Sequence, residues 1–306
     1  MIPIVFNAPT VRAMAQSLVT LAPKQEKVLL RRFADLNSDE VQLIEDIARR
    51  IVSIAGQGLP AMFDDYVWLC DMMLEEELHF RRHGRYRYST FSDANTHVYS
   101  DDSFMARYMN GLLMSQLWWS NHTDMIGFYR RDFLDNLPDG TRHLEIGPGH
   151  GLLLAYACDS PQVSDACAWD LSPTSVQHTE VALQRMGTAR MPRLQVANLF
   201  DAPEDDFDSL VLSEVLEHTE APAEALQAVR ALIRPGGLLF LNMPINSPAP
   251  DHLFNLPAPE DVDAFVSAAG FQVLERRYAP VTNSTLDRAR RMKLTISCGL
   301  IARRST

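Results

Sequence analysis

The sequence has few cysteines, no long apolar run and no excess of positive charge. Its four cysteines are scattered without a Cys-x-x-Cys pair, a pattern typical of free thiols in a reducing compartment. No segment approaches the about 18 apolar residues that a membrane-spanning helix needs. The first residues lack the basic region and apolar core of a secretory signal. We therefore expect a cytoplasmic protein that does not associate with membranes.

The balance of charge bears on possible partners. Acidic residues outnumber basic ones, 39 to 28, and the net charge is −11. A protein that neutralises phosphates is expected to present a basic face, so this balance argues against a nucleic-acid partner and favours a small-molecule substrate. At 306 residues the chain is long enough for one large domain or two small ones. The sequence does not indicate an oligomeric state.

The spacing of apolar residues changes near Thr141. Before it, apolar residues recur at three and four positions, which predicts an all-helical region over 1–140. Ser38 is the predicted cap of a helix that begins at Asp39. After Thr141, β-type runs alternate with helical ones, which predicts a doubly wound, mostly parallel sheet over 141–306. The last two strands are predicted to join without a helix and to form an antiparallel edge. The seven predicted strands are 142–146, 166–171, 194–197, 209–213, 238–243, 272–277 and 294–302.

The segment 143–154 is predicted to be a strand that runs into a glycine-rich turn and then a helix. Glycines allow close approach of the backbone to a ligand, and the helix N-terminus offers free N–H groups. Glu145 lies where a carboxylate would suit a cationic amino group, and Asp170, at the end of the next strand, can accept hydrogen bonds from ribose hydroxyls. The order acid-x-Gly-x-Gly-x-Gly differs from the Gly-x-Gly-x-x-Gly expected for a pyrophosphate.

These features resemble class I S-adenosylmethionine-dependent methyltransferases over about 142–303. The segments 170–173, 196–201 and 232–238, the last placed before the fifth strand, are also typical of that class. The resemblance implies a Rossmann-like seven-stranded sheet with an N-terminal helical cap, S-adenosylmethionine as cofactor, and methyl transfer as the activity. It implies that Asn198 and Leu199 hold the adenine. The implied cofactor-binding residues are Glu145, Gly147, Gly149, Gly151, Asp170, Leu171, Asn198, Leu199 and Glu214.

A cluster of ionisable residues follows the fourth predicted strand. Glu214, Glu217 and His218 are spaced i, i+3, i+4, which predicts that they share one face of a helical turn. The turn would lie at the carboxyl end of a strand, where ligands bind in open α/β sheets. Two carboxylates and an imidazole together call for a cation, and a divalent ion meets that need. The motif also occurs in methyltransferases that use no metal, so a metal-free site remains open.

A second histidine, His252, lies in the Pro-rich loop after the fifth predicted strand and would complete a Glu-Glu-His-His set. The set resembles those of two metal-dependent families, the ubiquinone-biosynthesis O-methyltransferases and the plant small-RNA 2′-O-methyltransferases. The resemblance implies that Glu214, Glu217, His218 and His252 bind Mg²⁺ or a transition metal such as Mn²⁺, Fe²⁺ or Zn²⁺. It does not extend to the helical half.

Aromatic residues and histidines are concentrated in the segment 86–129 of the helical half. Most of the aromatics are predicted to be core, but His122 follows two tryptophans at a helix junction and could contact the substrate, with His97 a weaker candidate. The predicted function is methylation of oxygen or carbon on a small oxygenated molecule, assisted by a metal, with His218 and His122 as candidate catalytic residues. The alternatives are a metal-free enzyme with a histidine base, an RNA 2′-O-methyltransferase, and a protein that uses the cofactor for another reaction.

Overall fold

The computed structural model describes residues 7–201 and 206–305. The extreme N-terminus, where the expected lack of a secretory signal would be judged, lies outside the described residues. Within them, no helix has both the length and the apolar character needed to cross a membrane. All four cysteines are free thiols, as predicted.

The first half of the chain is helical, which confirms the prediction from apolar spacing. Residues 95–99 and 129–133 form π-helical turns that continue the helices before them. We call the described residues before Thr141 the helical cap. Its helices are α1 (Pro9–Leu21), α2 (Glu26–Arg32), α3 (Ser38–Ala55), α4 (Leu59–His83), α5 (Phe91–Ala94), α6 (Asp102–Trp118) and α7 (Ser120–Phe128).

The start of α3 differs from the prediction by one residue. Asn37, not Ser38, is the N-cap, because its side chain accepts hydrogen bonds from the backbone N–H groups of Asp39 and Glu40 at 2.9 and 3.0 Å. The Glu40 carboxylate accepts in turn from the Asn37 N–H at 2.8 Å, which completes a capping box. The predicted cap was wrong because asparagine and serine are equally good at this position, and the box with Glu40 selects the asparagine.

The second half forms one seven-stranded sheet in the order β3-β2-β1-β4-β5-β7-β6. β1 to β5 run parallel, and β7 is antiparallel to both of its neighbours. This order confirms the predicted Rossmann-like sheet with an antiparallel edge. The strands are β1 (Thr141–Ile146), β2 (Val163–Asp170), β3 (Arg193–Val196), β4 (Phe207–Ser213), β5 (Ile233–Ile245), β6 (Phe271–Pro280) and β7 (Ile296–Arg304). The helices are α8 (Leu152–Asp159), α9 (Pro173–Met186), α10 (Pro222–Leu232), α11 (Pro259–Ala268) and α12 (Leu286–Met292).

Two predictions about this half were wrong. The connection between β6 and β7 contains α12, whose short and largely charged sequence hides the apolar spacing of a helix. The segment 232–238, expected before the fifth strand, lies mostly within β5. There the register shifts between Phe207 and Ser209 of β4, whose partners are Ile233 and Leu238, so the intervening residues of β5 form a bulge.

The helical cap packs on the sheet through a cluster of aromatic rings. Phe240, fully buried on β5, contacts Phe128, Tyr129 and Phe133 of the cap with ring centroids 5.0 to 5.7 Å apart. The Tyr129 hydroxyl also lies 3.2 Å from Nε2 of His143 on β1. The main apolar core therefore contains residues of both halves. The division into domains at residue 140 remains a prediction.

Removing the ring of Phe240 should test this shared core. We expect Phe240→Ala to lower the free energy of unfolding by about 3–5 kcal/mol, because it leaves a cavity among three aromatic rings. Urea denaturation followed by circular dichroism measures the change. Phe200→Ala, at a half-exposed position, is the control and should change stability by less than about 0.5 kcal/mol. A loss as small as the control's would show that the rings do not hold the cap on the sheet.

Candidate functional site

The turn after β1 has the backbone that its three glycines predict. Gly147, Gly149 and Gly151 adopt φ values of 67°, 52° and 73°, a region that residues with a Cβ rarely occupy. A Cβ at Gly147 would lie 3.0 Å from Cγ2 of Val215, in the segment that follows β4. The glycine turn is therefore packed closely against the segment that carries Glu214 and Glu217.

Glu145, on β1 just before this turn, is almost completely buried at 3% exposure. Its Oε2 has no hydrogen-bond partner among the described residues, and burial raises the pKa of its carboxyl group to about 8. A buried carboxyl group without a partner is unfavourable unless a ligand supplies one. An ammonium group would complete the site, which agrees with the predicted contact to the cofactor's amino group.

Asp170, at the end of β2, is held in a fixed orientation. Its Oδ1 accepts from the Ser172 N–H at 2.9 Å, and its Oδ2 accepts from the Ser175 hydroxyl at 2.7 Å. Each carboxylate oxygen retains a lone pair that can accept from a ribose hydroxyl. The adjacent Leu171 side chain is 63% exposed, so an apolar surface lies beside this carboxylate.

The two predicted adenine contacts follow β3. The side chain of Asn198 is engaged locally, since its amide donates to Asp201 at 2.8 Å and its oxygen accepts from the Phe200 N–H at 3.1 Å. Leu199 is half-buried. Because β1, β2 and β3 are parallel neighbours, the predicted cofactor residues on them lie along one edge of the sheet. Their individual contacts with the cofactor remain predictions.

The segment after β4 does not form the predicted helical turn across Glu214, Glu217 and His218. Glu214 has a left-handed backbone with φ 54° and precedes a short 3₁₀ turn over Leu216–His218. Its N–H donates to the Asn242 carbonyl at 2.8 Å, and the Asn242 amide donates to its carboxylate at 2.9 Å. The prediction was wrong because these bonds to β5 hold Glu214 beside the sheet, outside the turn.

Three of the four predicted ligands nevertheless converge. Glu217, His218 and His252 each offer a ligand atom, and these atoms lie within 4.8 Å of one another. Oε1 of Glu217 is 3.9 Å from Nε2 of His218, and the two imidazole rings are 4.9 Å apart. The Glu217 carbonyl accepts from the N–H groups of Leu253 and Phe254 at 2.7 and 3.0 Å, which holds the two loops together.

Glu214 lies outside that three-residue group, but its carboxyl group is close enough to that of Glu217 for the two to interact. Burial raises the pKa of Glu214, and burial together with the nearby charge of Glu214 raises the pKa of Glu217 well above its usual value. Both carboxyl oxygens of Glu217 are buried without a hydrogen-bond partner among the described residues. Two neighbouring buried acids, one of them with unpartnered oxygens, fit a cation, which would lower both pKa values.

The histidines are oriented as metal ligands usually are. Nδ1 of His252 lies 2.6 Å from the Ser247 carbonyl, and Nδ1 of His218 lies 3.2 Å from the Asp251 carbonyl. A carbonyl only accepts, so each Nδ1 is the donor, which leaves each Nε2 as the atom available to a metal. Burial, aided by His218, lowers the pKa of His252 to about 4 and keeps its ring neutral. Metal-binding histidines characteristically donate their other N–H in this way.

The structure also shows contacts to this group that sequence reasoning missed. The hydroxyls of Tyr108 and Tyr99 donate to the two carboxylate oxygens of Asp251 at 2.8 and 3.3 Å, and the Tyr99 hydroxyl also lies 3.3 Å from Nδ1 of His218. The two tyrosines were grouped with the core aromatics. The position of Asp251 beside His252 in the sequence was the available signal, but its contacts with Tyr108 and Tyr99 join residues 143 and 152 positions apart.

The two cap histidines lie in different surroundings. His122 is half-buried, with Nδ1 3.0 Å from the Ser115 hydroxyl and 3.1 Å from the Gln116 amide. Burial, aided by His150 of the glycine turn, lowers the pKa of His122 to about 3, so the ring is a poor base but remains able to form hydrogen bonds. His97 is exposed and stacks on Tyr88 with ring centroids 5.4 Å apart. A substrate contact remains a prediction for both.

The comparisons with known proteins identify the family of this chain. The Methyltransferase domain family matches residues 121–276, which is just over half of the chain, and the chain belongs to this family. It is a class I S-adenosylmethionine-dependent methyltransferase.

Curated relatives include ubiquinone biosynthesis O-methyltransferases. The one from Xanthomonas axonopodis pv. citri is 28% identical over 166 residues, which cover 51% of this chain and 68% of that protein. The one from Cereibacter sphaeroides is 31% identical over 116 residues, covering 37% and 45%. Among solved structures, a 1,6-didemethyltoxoflavin-N1-methyltransferase from Burkholderia thailandensis has a TM-score of 0.48 at 18% identity, covering 67% of this chain and 86% of that chain.

The buried Glu145 predicts that cofactor binding releases a proton. Its pKa near 8 leaves it mostly protonated at pH 7, whereas an ammonium partner requires the carboxylate. Binding of S-adenosylhomocysteine at pH 7 should therefore release about one proton, and the release should diminish as the pH rises through the pKa. Calorimetric titration in buffers of different ionisation enthalpy measures it.

Glu145→Gln should abolish that proton release and weaken binding by about 1.5–3 kcal/mol, the value of a charge-assisted hydrogen bond. Glu224→Gln, at an exposed position on α10, is the control and should leave both quantities unchanged. Proton release that persists in Glu145→Gln would show that another group titrates.

Proposed function

We propose that this methyltransferase is metal-dependent and methylates oxygen or carbon on a small oxygenated molecule, such as a catechol, an enediol or an enolate. The observation that carries the proposal is the convergence of Glu217, His218 and His252, where the buried carboxyl oxygens of Glu217 have no basic hydrogen-bond partner among the described residues. The relatives named ubiquinone biosynthesis O-methyltransferases support an oxygen acceptor.

Glu217, His218 and His252 would hold the ion, with Glu214 as a further ligand. A bound divalent ion supplies a Lewis acid that lowers the pKa of coordinated substrate oxygens. The two imidazoles favour Mn²⁺, Fe²⁺ or Zn²⁺, whereas a set of carboxylates alone would favour Mg²⁺.

The protein's own groups bind the cofactor and orient it toward the acceptor. Glu145 and Asp170 hold the cofactor at its amino and ribose groups, and the glycine turn leaves room for it. The ends of β1, β4 and β5 are neighbours, so the cofactor and the acceptor are held at one edge of the sheet, which favours in-line transfer. The cap reaches this edge through Tyr99 and Tyr108, whose hydroxyls donate to Asp251 in the loop that carries His252.

A metal-free enzyme is the second candidate, because one observation favours it. His218 donates its Nδ1–H to the Asp251 carbonyl, and its Nε2 is therefore free to accept a proton from an acceptor hydroxyl. In that mechanism His252 would only fill space, whereas a metal site requires both histidines.

A chelator and ligand substitutions together distinguish the two candidates. With a panel of catechols as acceptors, we expect chelation to abolish release of S-adenosylhomocysteine and a divalent ion to restore it. His252→Ala and Glu217→Gln should each lower metal affinity by at least about 10-fold, because even supporting residues of metal sites have effects of that size. Equilibrium dialysis with Mn²⁺ and Zn²⁺ measures affinity without any acceptor.

The histidines His79 and His83, whose rings lie 4.3 Å apart on α4, are a half-buried and an exposed residue that could bind metal adventitiously. The double variant His79→Ala/His83→Ala is therefore the control, and it should keep both the activity and the tight metal site. Full activity of His252→Ala in excess chelator would instead establish His218 as the base.

A further inference from the structure

Asp251 lies between the helical cap and the group formed by Glu217, His218 and His252. It is 3% exposed, and both of its carboxylate oxygens accept hydrogen bonds from the cap. Tyr108 on α6 donates to Oδ1 at 2.8 Å, and Tyr99, in the π-helical turn before α6, donates to Oδ2 at 3.3 Å. The same Oδ2 lies 3.5 Å from Nδ1 of His218, and the Asp251 carbonyl lies 3.2 Å from it.

A second contact from the cap reaches the loop that carries His252. The Tyr86 hydroxyl accepts from the Ser247 N–H at 3.0 Å and donates to the side-chain oxygen of Asn255 at 3.0 Å. The Ser247 carbonyl is the group that accepts from Nδ1 of His252. Tyr86 therefore fixes the peptide segment that orients this imidazole.

We propose that the helical cap is part of the metal site. Tyr99 and Tyr108, through Asp251, position His218, and Tyr86 positions His252, so that both Nε2 atoms face Glu217. This inference rests on the proposed function, because it concerns the same site. It assigns a positioning role to cap residues that lie outside the matched stretch of the methyltransferase family, which begins at residue 121.

The geometry explains how the tyrosines of the cap orient the imidazole rings. His218 is anchored by its own backbone on the loop after β4, whereas the groups that fix its ring come from the loop after β5 and from the cap. Without the tyrosine hydroxyls, the Asp251 carboxylate would lose both of its described side-chain donors and could turn away from the imidazole. The rings would then sample orientations in which the two Nε2 atoms no longer converge.

The coupling between the cap contacts and metal binding is reciprocal by thermodynamic necessity. If the cap contacts raise metal affinity, metal binding must stabilise those contacts by the same free energy. Mn²⁺ should therefore slow amide hydrogen exchange in residues 86–108, and the substitution Asp251→Asn should remove that protection.

Metal binding to the full-length protein without an affinity tag tests the inference. By equilibrium dialysis with Mn²⁺ or Zn²⁺ alone, Asp251→Asn should weaken binding about 10- to 100-fold, the usual effect of losing a group that orients a ligand. Tyr108→Phe and Tyr99→Phe should each weaken it about 3- to 10-fold, as expected for one hydrogen bond. High metal concentration should restore the turnover of all three variants.

Tyr278→Phe is the matched control. Its hydroxyl also donates to an aspartate, Asp263 at 2.7 Å, but that pair lies on β6 and α11. This variant should lose stability comparably while keeping the wild-type metal affinity. Equal metal affinity in Asp251→Asn, Tyr108→Phe and the wild type would overturn the inference and leave the metal site intact. A wild type that binds metal no better than Glu217→Gln would overturn the proposed function and this inference with it.

Discussion

The site depends on the burial of carboxyl groups whose oxygens lack hydrogen-bond partners within the described part of the chain. Oε2 of Glu145 and both carboxyl oxygens of Glu217 are in this position, and burial raises the pKa of both groups. Ordinary packing would replace such residues with apolar ones, because an isolated buried charge is among the most unfavourable features of a folded protein. The fold retains two of them at one edge of the sheet. The proposed function complements each with a cation, the cofactor's ammonium group for Glu145 and a metal ion for Glu217.

The local parts of this arrangement could be predicted from the sequence, whereas the contacts between distant segments could not. The seven strands and the glycine turn follow from apolar spacing and from backbone freedom, which neighbouring residues determine. The conformation of Glu214 depends instead on Asn242 of the adjacent strand, and the spacing of its own segment gave the wrong turn. The role of Asp251 depends on two tyrosines that precede it by well over a hundred positions, so no local pattern contains it.

The acidic residues at the surface and those in the interior of the protein have different consequences. The excess of acidic residues over the whole chain bears only on which partners the surface can bind. The acids proposed to act in the chemistry are few and buried. His122 and His252 illustrate the same point for bases, since burial keeps both rings neutral. Burial therefore favours the uncharged forms of these two bases, as it does for the acids Glu145 and Glu217.

The ring cluster around Phe240 limits how a substrate can enter. A hinge that lifted the whole cap would pull three aromatic rings out of the core and expose them to water, at a free-energy cost far beyond that of ordinary gating motions. Most residues of the segment 84–101 are exposed, and none of its rings joins the cluster around Phe240. A movement that spares the ring cluster is therefore limited to this segment, whose Tyr86 and Tyr99 contact the loop that carries His252.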